Sequence, residues 1–308
     1  MSAARISRIV TKSVLAREQA EGAGATVRRS IGTPQLRNFT PFLMLDNFKV
    51  AEGAGFPDHP HRGMTTLTYL IEGEFEHEDF VGHRGRLGPG DLQFMIAGKG
   101  IMHAEMPIHG PGKKDPFGLQ LWIDLPSQHK LVPPSYQELK AAEIPSANPI
   151  PSVNIKVICG EADGSESQGV VSSPVRPLGG CWFADVVFDP AGGTIFHRIP
   201  AGWNAFVYTL SGSVTIGPST NPSTIIEPFH TAVLSNTADA TGIQITSSGA
   251  ARLVVVAGEP LTQEIFQHGP FVMDSQTGIR KAFQDYSMGV NGFEGAHDWK
   301  SEIGKKVS

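Results

Sequence analysis

Short runs of β-branched and aromatic residues, separated by turns rich in glycine and proline, recur along this chain and limit what it can fold into. Three such runs in the first half, Thr65–Ile71, Asp91–Ile96 and Leu119–Leu125, are typical of strands. The second half repeats the pattern at Cys181–Phe188, Thr194–Ile199, Asn204–Leu210, Val214–Gly217, Thr231–Leu234 and Leu253–Ala257. With 35 glycines and 23 prolines to form turns, the sequence predicts an all-β fold with a few short helices.

The length of 308 residues predicts two domains, since single domains usually hold about 100 to 200 residues. We place the first domain at residues 1–132 and the second at 153–308. The Pro-bounded stretch 133–152 is interpreted as a linker with a short helix, opened by Ser135 and capped by Glu138 three residues later. Closing each sheet into a barrel would remove exposed strand edges, so two barrels are expected.

A faint internal repeat supports duplication. Laying Tyr69–Gly73 over Tyr208–Gly212 matches a tyrosine, an apolar residue and a glycine, and the same offset brings Pro89 onto Pro228. Near the C-terminus, apolar residues recur at helical spacing after Ser275 and before Gly289, which predicts that the second domain ends in an amphipathic helix.

Composition and motifs exclude several classes of protein. The net charge is -5 and no dense Lys/Arg block occurs, so direct nucleic-acid binding is not expected. No apolar run is long enough to cross a bilayer, and Cys159 and Cys181 lie in apolar, strand-like surroundings that favour buried, reduced thiols in an intracellular protein. The absence of G-x-S-x-G, Walker and G-x-G-x-x-G motifs argues against triad hydrolases, NTPases and dinucleotide enzymes.

Two short pairs of potential metal ligands form the main candidate site. His59 and His61 are two residues apart, as are His103 and Glu105, and side chains at i and i+2 of a strand point the same way. If the intervening strands wind around a small barrel, both pairs face one interior point. Three imidazoles and a carboxylate, with no thiolate, suit Fe, Mn, Ni, Cu or Zn and leave coordination positions open for chemistry.

Other histidines compete less well as ligands. His77 and His83 lie among acidic residues and form either a polar network around the site or an exposed pair on a hairpin. The remaining histidines lack partners at ligand spacing and are interpreted as structural or surface residues: His109, His129, His197, His230, His268 and His297.

Several longer motifs resemble the pirin family of cupin proteins. They are Phe56–Gly63 (FPDHPHRG), Thr68–Gly73 with His77–Phe80, Gly88–Gln93 with Ala97–Pro107, Ala201–Leu210 and Gly269–Met273, and together they extend over nearly the whole chain. The resemblance implies two cupin barrels, a bicupin, with one iron ion (Fe²⁺ or Fe³⁺) in the N-terminal barrel. Its ligands fall on His59, His61, His103 and Glu105.

The family resemblance implies two roles from different classes. One is quercetin 2,3-dioxygenase activity on a flavonol and O₂, for which we hypothesise that Glu105 is both ligand and general base, because it is the only carboxylate among the four proposed ligands. The other is redox-sensitive co-regulation of transcription through transcription-factor partners. We expect a monomer in the cytoplasm, and a nuclear fraction is left open.

Two further expectations concern the surroundings of the metal. Phe56, Met64 and Met106 flank the ligand pairs and are candidate walls of a substrate pocket, with core packing as the equally weighted alternative. In the second half, the repeat offset puts Arg198 and Pro200 on the first histidine pair, and Gly242 and Gln244 on the second pair. We therefore expect no metal in the second barrel.

Overall fold

A computed structural model describes residues 4–218 and 222–307 of the chain. Residues 1–3, at the start of the predicted first domain, and residue 308, at the end of the second, lie outside the described residues. The chain divides into two compact units. Unit 1 comprises Met1–Ala16, Pro34–Pro41 and Ala142–Pro260, and unit 2 comprises Arg17–Thr33, Phe42–Ala141 and Leu261–Ser308.

The described residues are mainly β-structure, as the sequence predicts. In chain order the strands are β1 (Val10–Leu15), β2 (Arg17–Glu21), β3 (Ala25–Arg29), β4 (Phe42–Lys49), β5 (Phe56–His61), β6 (Met64–Glu72), β7 (Phe75–Asp79), β8 (Arg84–Leu87), β9 (Leu92–Ile96), β10 (Ile101–Pro107), β11 (Phe117–Asp124), β12 (Ser135–Leu139), β13 (Ser146–Ala147), β14 (Val153–Cys159), β15 (Glu161–Asp163), β16 (Val170–Ser172), β17 (Cys181–Phe188), β18 (Gly193–Arg198), β19 (Asn204–Ser211), β20 (Val214–Ile216), β21 (Thr224–Ile226), β22 (His230–Leu234), β23 (Gly242–Ser247), β24 (Ala251–Gly258), β25 (Phe266–His268) and β26 (Phe271–Met273). One α-helix, α1 (Gln276–Met288), and two 3₁₀ helices, Ser127–His129 and Gly304–Val307, complete the described elements. No helix in these ranges is long and apolar enough to span a bilayer.

Each unit is built around a seven-stranded and a four-stranded antiparallel sheet. In unit 2 the orders are β12-β9-β6-β11-β4-β3-β2 and β5-β10-β7-β8. In unit 1 they are β1-β22-β19-β24-β17-β14-β13 and β18-β23-β20-β21. The two orders correspond strand for strand around β6 and β19, which hold Tyr69 and Tyr208 of the sequence repeat. Hydrogen bonds between the described strands leave the sheets open, so each unit is a pair of facing sheets and not one continuously bonded barrel.

The predicted helix in the linker is wrong, because Ser135–Leu139 is the strand β12. It pairs with β9 in the register Ser135 to Ile96 through Leu139 to Leu92, and so covers an edge of the seven-stranded sheet of unit 2. Tyr136 and Glu138 alternate with Gln137 along it, and this period of two belongs to a strand. The Ser135 and Glu138 spacing matches a capping box, but no helical apolar stripe follows it to bury.

The domain boundaries drawn from the sequence also differ from the two units. Residues 133–141 belong to unit 2, and the N-terminal strand β1 pairs with β22 inside unit 1. The C-terminal segment from Leu261, including α1, belongs to unit 2 instead of closing the second domain. Local sequence patterns predict individual strands and helices. The assignment of a segment to one unit or the other depends on pairing between strands that are far apart in sequence.

Helix α1 begins and ends where the sequence predicts. The Ser275 hydroxyl accepts a hydrogen bond from the Gly278 amide at 3.0 Å, and Gly289 ends the helix at φ 63°, a left-handed conformation that glycine adopts without strain. Its apolar face packs in a buried cluster with Phe271 and Phe293. Of the apolar residues at helical spacing, Ile279, Ala282 and Tyr286 pack in this cluster, whereas Phe283 is 36% exposed.

A buried ion pair links α1 to the residue that follows the first histidine pair. Arg62 Nη1 lies 2.8 Å from Asp285 Oδ2, and their side chains are 2% and 7% exposed. Arg62 also donates to the carbonyl oxygens of Lys99 (2.6 Å) and Asn291 (2.7 Å), and its guanidinium stacks 4.7 Å from the Phe293 ring centre. These contacts fix the backbone immediately after His61.

We expect Asp285→Ala to lower the free energy of unfolding by about 3–5 kcal/mol, because it leaves the Arg62 charge buried without its partner. Urea unfolding followed by circular dichroism measures the change. The exposed Asp298 provides a control, since Asp298→Ala is expected to shift stability by no more than about 0.5 kcal/mol. Equal effects of the two substitutions would contradict this assignment.

A buried histidine makes unit 1 sensitive to acid. Burial, opposed by the Asp163 charge and assisted by the Arg198 charge, lowers the pKa of His197 from 6.5 to about 4. The unfolded chain therefore binds a proton at higher pH than the folded chain does. The neutral imidazole contributes full stability above pH ~6.5, and this contribution is lost as pH falls toward 4.

Between pH 7 and pH 4, we expect the free energy of unfolding of the wild-type protein to fall by about 3 kcal/mol more than that of His197→Leu. This value follows from the lowered pKa of His197, since each pKa unit corresponds to about 1.4 kcal/mol. Chemical denaturation at the two pH values measures the difference. Parallel stability curves for the two proteins would show that His197 is not responsible.

Candidate metal centre

The two ligand pairs predicted from the sequence lie on neighbouring strands. β5 and β10 are antiparallel, and His59 is the cross-strand partner of His103. The register shifts between His103 and Glu105, where Glu105 comes opposite Phe56. Because residues two apart on a strand share a face, His61 and Glu105 lie on the same side as this central pair. The predicted convergence of the histidines is therefore present.

The three imidazole rings meet edge to edge instead of stacking. Their centroids are 4.4 to 5.0 Å apart and their planes are inclined by 53° to 75°. One ring nitrogen from each of His59, His61 and His103 lies within 4.8 Å of the others. The Nε2 atoms of His59 and His103 are 3.0 Å apart. This is the arrangement of three nitrogen ligands around one point.

The backbone fixes the tautomer of His59. Its Nδ1 lies 2.8 Å from the carbonyl oxygen of Pro57. A carbonyl oxygen only accepts hydrogen bonds, so Nδ1 is the donor and the neutral ring presents a lone pair at Nε2, toward His103. Histidine ligands in metal sites are commonly oriented in this way by a carbonyl on the opposite nitrogen.

His61 and His103 are buried with unpaired nitrogens. Both ring nitrogens of His61 and the Nδ1 of His103 have no hydrogen-bond partner in the described residues, and the two side chains are 0% and 1% exposed. Burial lowers the pKa of both imidazoles well below the usual 6.5, and the neighbouring histidines lower it further. Neutral, desolvated imidazoles without partners are costly in a protein core, and a bound metal ion would satisfy them.

Glu105 stands beside the histidines and is held by two polar side chains. Thr68 Oγ1 donates to Oε1 at 3.1 Å, and Gln120 Nε2 donates to Oε2 at 3.2 Å. Its oxygens are not among the ligand atoms that lie within 4.8 Å of one another. A carboxylate has about four lone-pair positions, so these two hydrogen bonds leave it able to take a further partner. Its role as the fourth ligand stays a prediction.

The sequence analysis missed three residues around the site: Thr68, Gln120 and Trp122. The Trp122 indole donates to Gln120 Oε1 at 2.8 Å, and its ring lies 5.2 Å from that of His61. The alternation in Leu119–Leu125 already puts Gln120 and Trp122 on one face. Nothing local shows that this face points toward the histidines, since that depends on the pairing of β11 with β6.

The three residues expected to line a pocket pack in apolar clusters. Met64 is 0% exposed in a core with Leu43 and Met95. The Phe56 ring stacks 6.4 Å from Phe75. Met106 alternates with Glu105 and so points to the other face of β10. The burial of Met64 and Met106 and the ring contact of Phe56 agree with core packing, the alternative weighed from the sequence, and the role of these residues as pocket walls stays a prediction.

Unit 1 has an apolar surface where unit 2 has its histidines. The buried positions of β18 and β23 hold Ile195, His197, Ile243 and Ile245, followed by Ile199, and the isoleucines belong to one core cluster. The repeat offset selects neighbouring residues that alternate with these buried positions and so point to the other face of the strands: Arg198, Pro200, Gly242 and Gln244. The offset keeps the cross-strand pairing, since Arg198 pairs with Gly242 as His59 pairs with His103, but it selects the opposite face of the two strands.

The donor set in unit 2 suits a transition-metal ion. Imidazole nitrogens bind Fe, Mn, Ni, Cu and Zn, whereas Ca²⁺ and Mg²⁺ prefer oxygen ligands throughout. No cysteine takes part, because Cys159 and Cys181 are free, buried and located in unit 1. Three nitrogens leave further coordination positions available on a metal that accepts five or six ligands.

Comparison with known proteins gives two family matches. The Pirin model matches residues 24–123, and the model of the Pirin C-terminal cupin domain matches residues 184–292. Pirin of Homo sapiens is 48% identical over 299 residues, which cover 97% of this chain and 99% of the human protein. A pirin-like protein of Solanum lycopersicum is 44% identical over 96% of this chain and 97% of its own length.

Solved structures share the fold. A crystal structure of quercetin 2,3-dioxygenase from Acinetobacter baumannii superposes with a TM-score of 0.81 at 25% identity, covering 92% of this chain and 98% of the bacterial one. A bacterial pirin from Escherichia coli, crystallised with nickel(II), superposes with a TM-score of 0.61 at 19% identity, covering 81% and 99%. The latter likeness supports the fold alone.

We expect His61→Ala to reduce the iron bound at limiting iron by at least about tenfold, because it removes one of three converging imidazoles. Elemental analysis of protein purified without chelators measures the metal-to-protein ratio. His268→Ala serves as the matched control, since His268 is exposed and contacts Phe283, away from the site. Full metal content in His61→Ala, or equal losses in both variants, would contradict the assignment.

Proposed function

This chain belongs to the pirin family, and we propose that it is a two-cupin metalloprotein that oxidises a flavonol with O₂ at the histidine site of unit 2. The proposed ligands are His59, His61, His103 and Glu105, and the proposed metal is one iron ion. Mn, Ni, Cu and Zn are possible substitutes for iron at these donors. The proposed substrate is quercetin or a related flavonol.

One observation supports the proposal above all. Three imidazoles converge beside a carboxylate held in place by hydrogen bonds, and two of them, His61 and His103, are buried with unpaired ring nitrogens. The likeness to a quercetin 2,3-dioxygenase at a TM-score of 0.81 adds a reaction class to this geometry. A metal ion bound there would supply Lewis acidity that lowers the pKa of a phenolic hydroxyl.

Glu105 is the residue placed to accept a proton from the substrate. Glu105 is 5% exposed and accepts hydrogen bonds from Thr68 and Gln120, which fix the direction of its carboxylate. A flavonol hydroxyl brought to the histidines would approach this carboxylate. Proton transfer to Glu105 would then generate the electron-rich phenolate that dioxygen attacks.

Trp122 and Gln120 give the site one aromatic and one polar wall. Trp122 stands perpendicular to His61 and is tied to Gln120, which in turn holds Glu105. A flat aromatic substrate packs favourably against an indole ring. This chain of contacts couples the position of the substrate ring to the position of the base, so that both are set before reaction.

Redox-sensitive co-regulation of transcription factors stays a prediction from the family resemblance. Such a switch needs partner affinity to differ between ferrous and ferric forms, since a ligand that binds both states equally shifts neither. Dioxygenation is preferred here because it uses residues whose contacts are known.

We expect iron-loaded protein to consume O₂ and quercetin in equal amounts, and Glu105→Gln to lower kcat by about 10²- to 10⁴-fold per bound metal ion by removing the base. Oxygen-electrode and absorbance assays measure the rates, and elemental analysis normalises them. Glu264→Gln, at an exposed position, is expected to retain the wild-type rate. An unchanged rate per metal in Glu105→Gln would exclude the base role, and no turnover by any metal-loaded form would exclude the enzyme.

A further inference from the structure

A second group of potential ligands lies in unit 2, apart from the three converging histidines. It consists of His77 on β7, His83 in the turn before β8, and Glu138 on β12, and we call it the His77 cluster. One ligand atom from each of the three residues lies within 4.8 Å of the others. The sequence did not predict this grouping, since Glu138 was assigned to a helix cap. The pairing of β12 with β9 brings Glu138 to the two histidines.

Both histidines direct the same nitrogen at one carboxylate oxygen. His77 Nε2 lies 2.9 Å from Glu138 Oε1, and His83 Nε2 lies 3.2 Å from the same atom. Ligands of a tetrahedral ion with bonds of about 2.0–2.1 Å are separated by about 3.3 Å. The two nitrogen–oxygen distances are therefore only a few tenths of an ångström shorter than those in the ligand shell of a bound metal, and all three ligand atoms lie within 4.8 Å of one another.

The contact of His77 with Glu138 is close but poorly directed for a hydrogen bond. His77 is 4% exposed, and its buried Nε2 lies 2.9 Å from Glu138 Oε1 without making a well-directed hydrogen bond. His83 and Gln93, by contrast, both make well-directed hydrogen bonds to Oε1, at 3.2 Å and 3.0 Å. A purely hydrogen-bonded cluster would leave this one buried nitrogen unsatisfied, and an ion between the three residues would satisfy it.

The surroundings orient the ligand side chains. The His83 ring stacks on Tyr136 with centroids 4.1 Å apart, and the His77 ring is inclined by only 30° to that of His83. Asp79 Oδ1 accepts from the backbone amides of Val81 and His83 at 3.0 Å and 2.9 Å, which fixes the turn that presents His83. Ligands held in this way lose little freedom when an ion binds.

A glycine leaves the space beside the His77 cluster. Gly85 is the cross-strand partner of His77, and a Cβ built there would lie 2.4 Å from His77 Nε2 and 3.0 Å from Glu138 Oε2. Any larger residue would occupy the region toward which these ligand atoms point. The His83 side chain is 36% exposed, so an ion would have access from solvent.

We propose that the His77 cluster is a second metal site, which binds a divalent transition-metal ion of the zinc type through His77, His83 and Glu138. Two imidazoles, one carboxylate and a water form a ligand set well suited to Zn²⁺. His77 and β8 belong to the four-stranded sheet and Glu138 to the seven-stranded sheet of unit 2. The ion would therefore cross-link the two sheets and stabilise the unit that contains the first site.

Zinc titration of the full-length protein tests this proposal. Protein stripped with a chelator is equilibrated with Zn²⁺ at a fixed free concentration, and bound zinc is counted by elemental analysis. We expect two equivalents for the wild type and for the surface control His268→Ala. We expect one equivalent for His83→Ala, Glu138→Ala and His61→Ala, and none for the double variant His61→Ala/His83→Ala.

Gly85→Ala keeps all three ligands and places a methyl group against them, and we expect it to bind one equivalent. Circular dichroism establishes that each variant is folded, and His83, being partly exposed, is the position least prone to disrupt the core. If the wild type bound one equivalent of zinc and His83→Ala bound none, the ion would lie at the His77 cluster. That result would support this proposal and count against zinc binding by His59, His61 and His103. Retention by His83→Ala and Glu138→Ala of all the zinc that the wild type binds would overturn the proposal.

Discussion

The convergence of three imidazoles, two of them fully buried, on one pair of antiparallel strands is the physical constraint on which unit 2 depends. Both ring nitrogens of His61 and the Nδ1 of His103 lie in the core without a hydrogen-bond partner among the described residues. Burial keeps the rings neutral, which is the form that binds metals. The rest of unit 2 maintains this arrangement: Pro57 orients His59, Thr68 and Gln120 orient Glu105, and Arg62 fixes the backbone beyond His61 through Asp285.

Unit 1 shows what the same architecture looks like without the constraint. Its two sheets have the same strand counts and corresponding orders as those of unit 2. The buried faces of β18 and β23 hold isoleucines and a single histidine, and these side chains fill the core directly. His197 is also neutral there, but it has no neighbouring imidazoles with which to converge. The two units thus share a fold. They differ in the side chains on the inward face of two strands, which are potential metal ligands in unit 2 and mostly isoleucines in unit 1.

The sequence predicts much of the site because its signals are local. Two residues at i and i+2 of a strand share a face whatever the rest of the fold does, so the pairs around His59 and His103 could be recognised directly. Helix α1 was likewise specified by its cap and its final glycine. What the sequence could not supply was pairing over long separations. Glu138 joins His77 and Trp122 joins His61 through strand neighbours that no local pattern specifies, and the same limit explains the error at Ser135–Leu139 and the misplacement of α1.

The central claim is that one metal ion is bound by the three histidines of β5 and β10 with nitrogen and oxygen ligands only. X-ray absorption at the iron edge of iron-loaded protein tests it most directly. The account predicts a nearest shell of nitrogen and oxygen with the multiple scattering of three imidazoles, and loss of most of the bound iron in His61→Ala. A sulfur shell at about 2.3 Å, or one imidazole or fewer in the wild type, would contradict it.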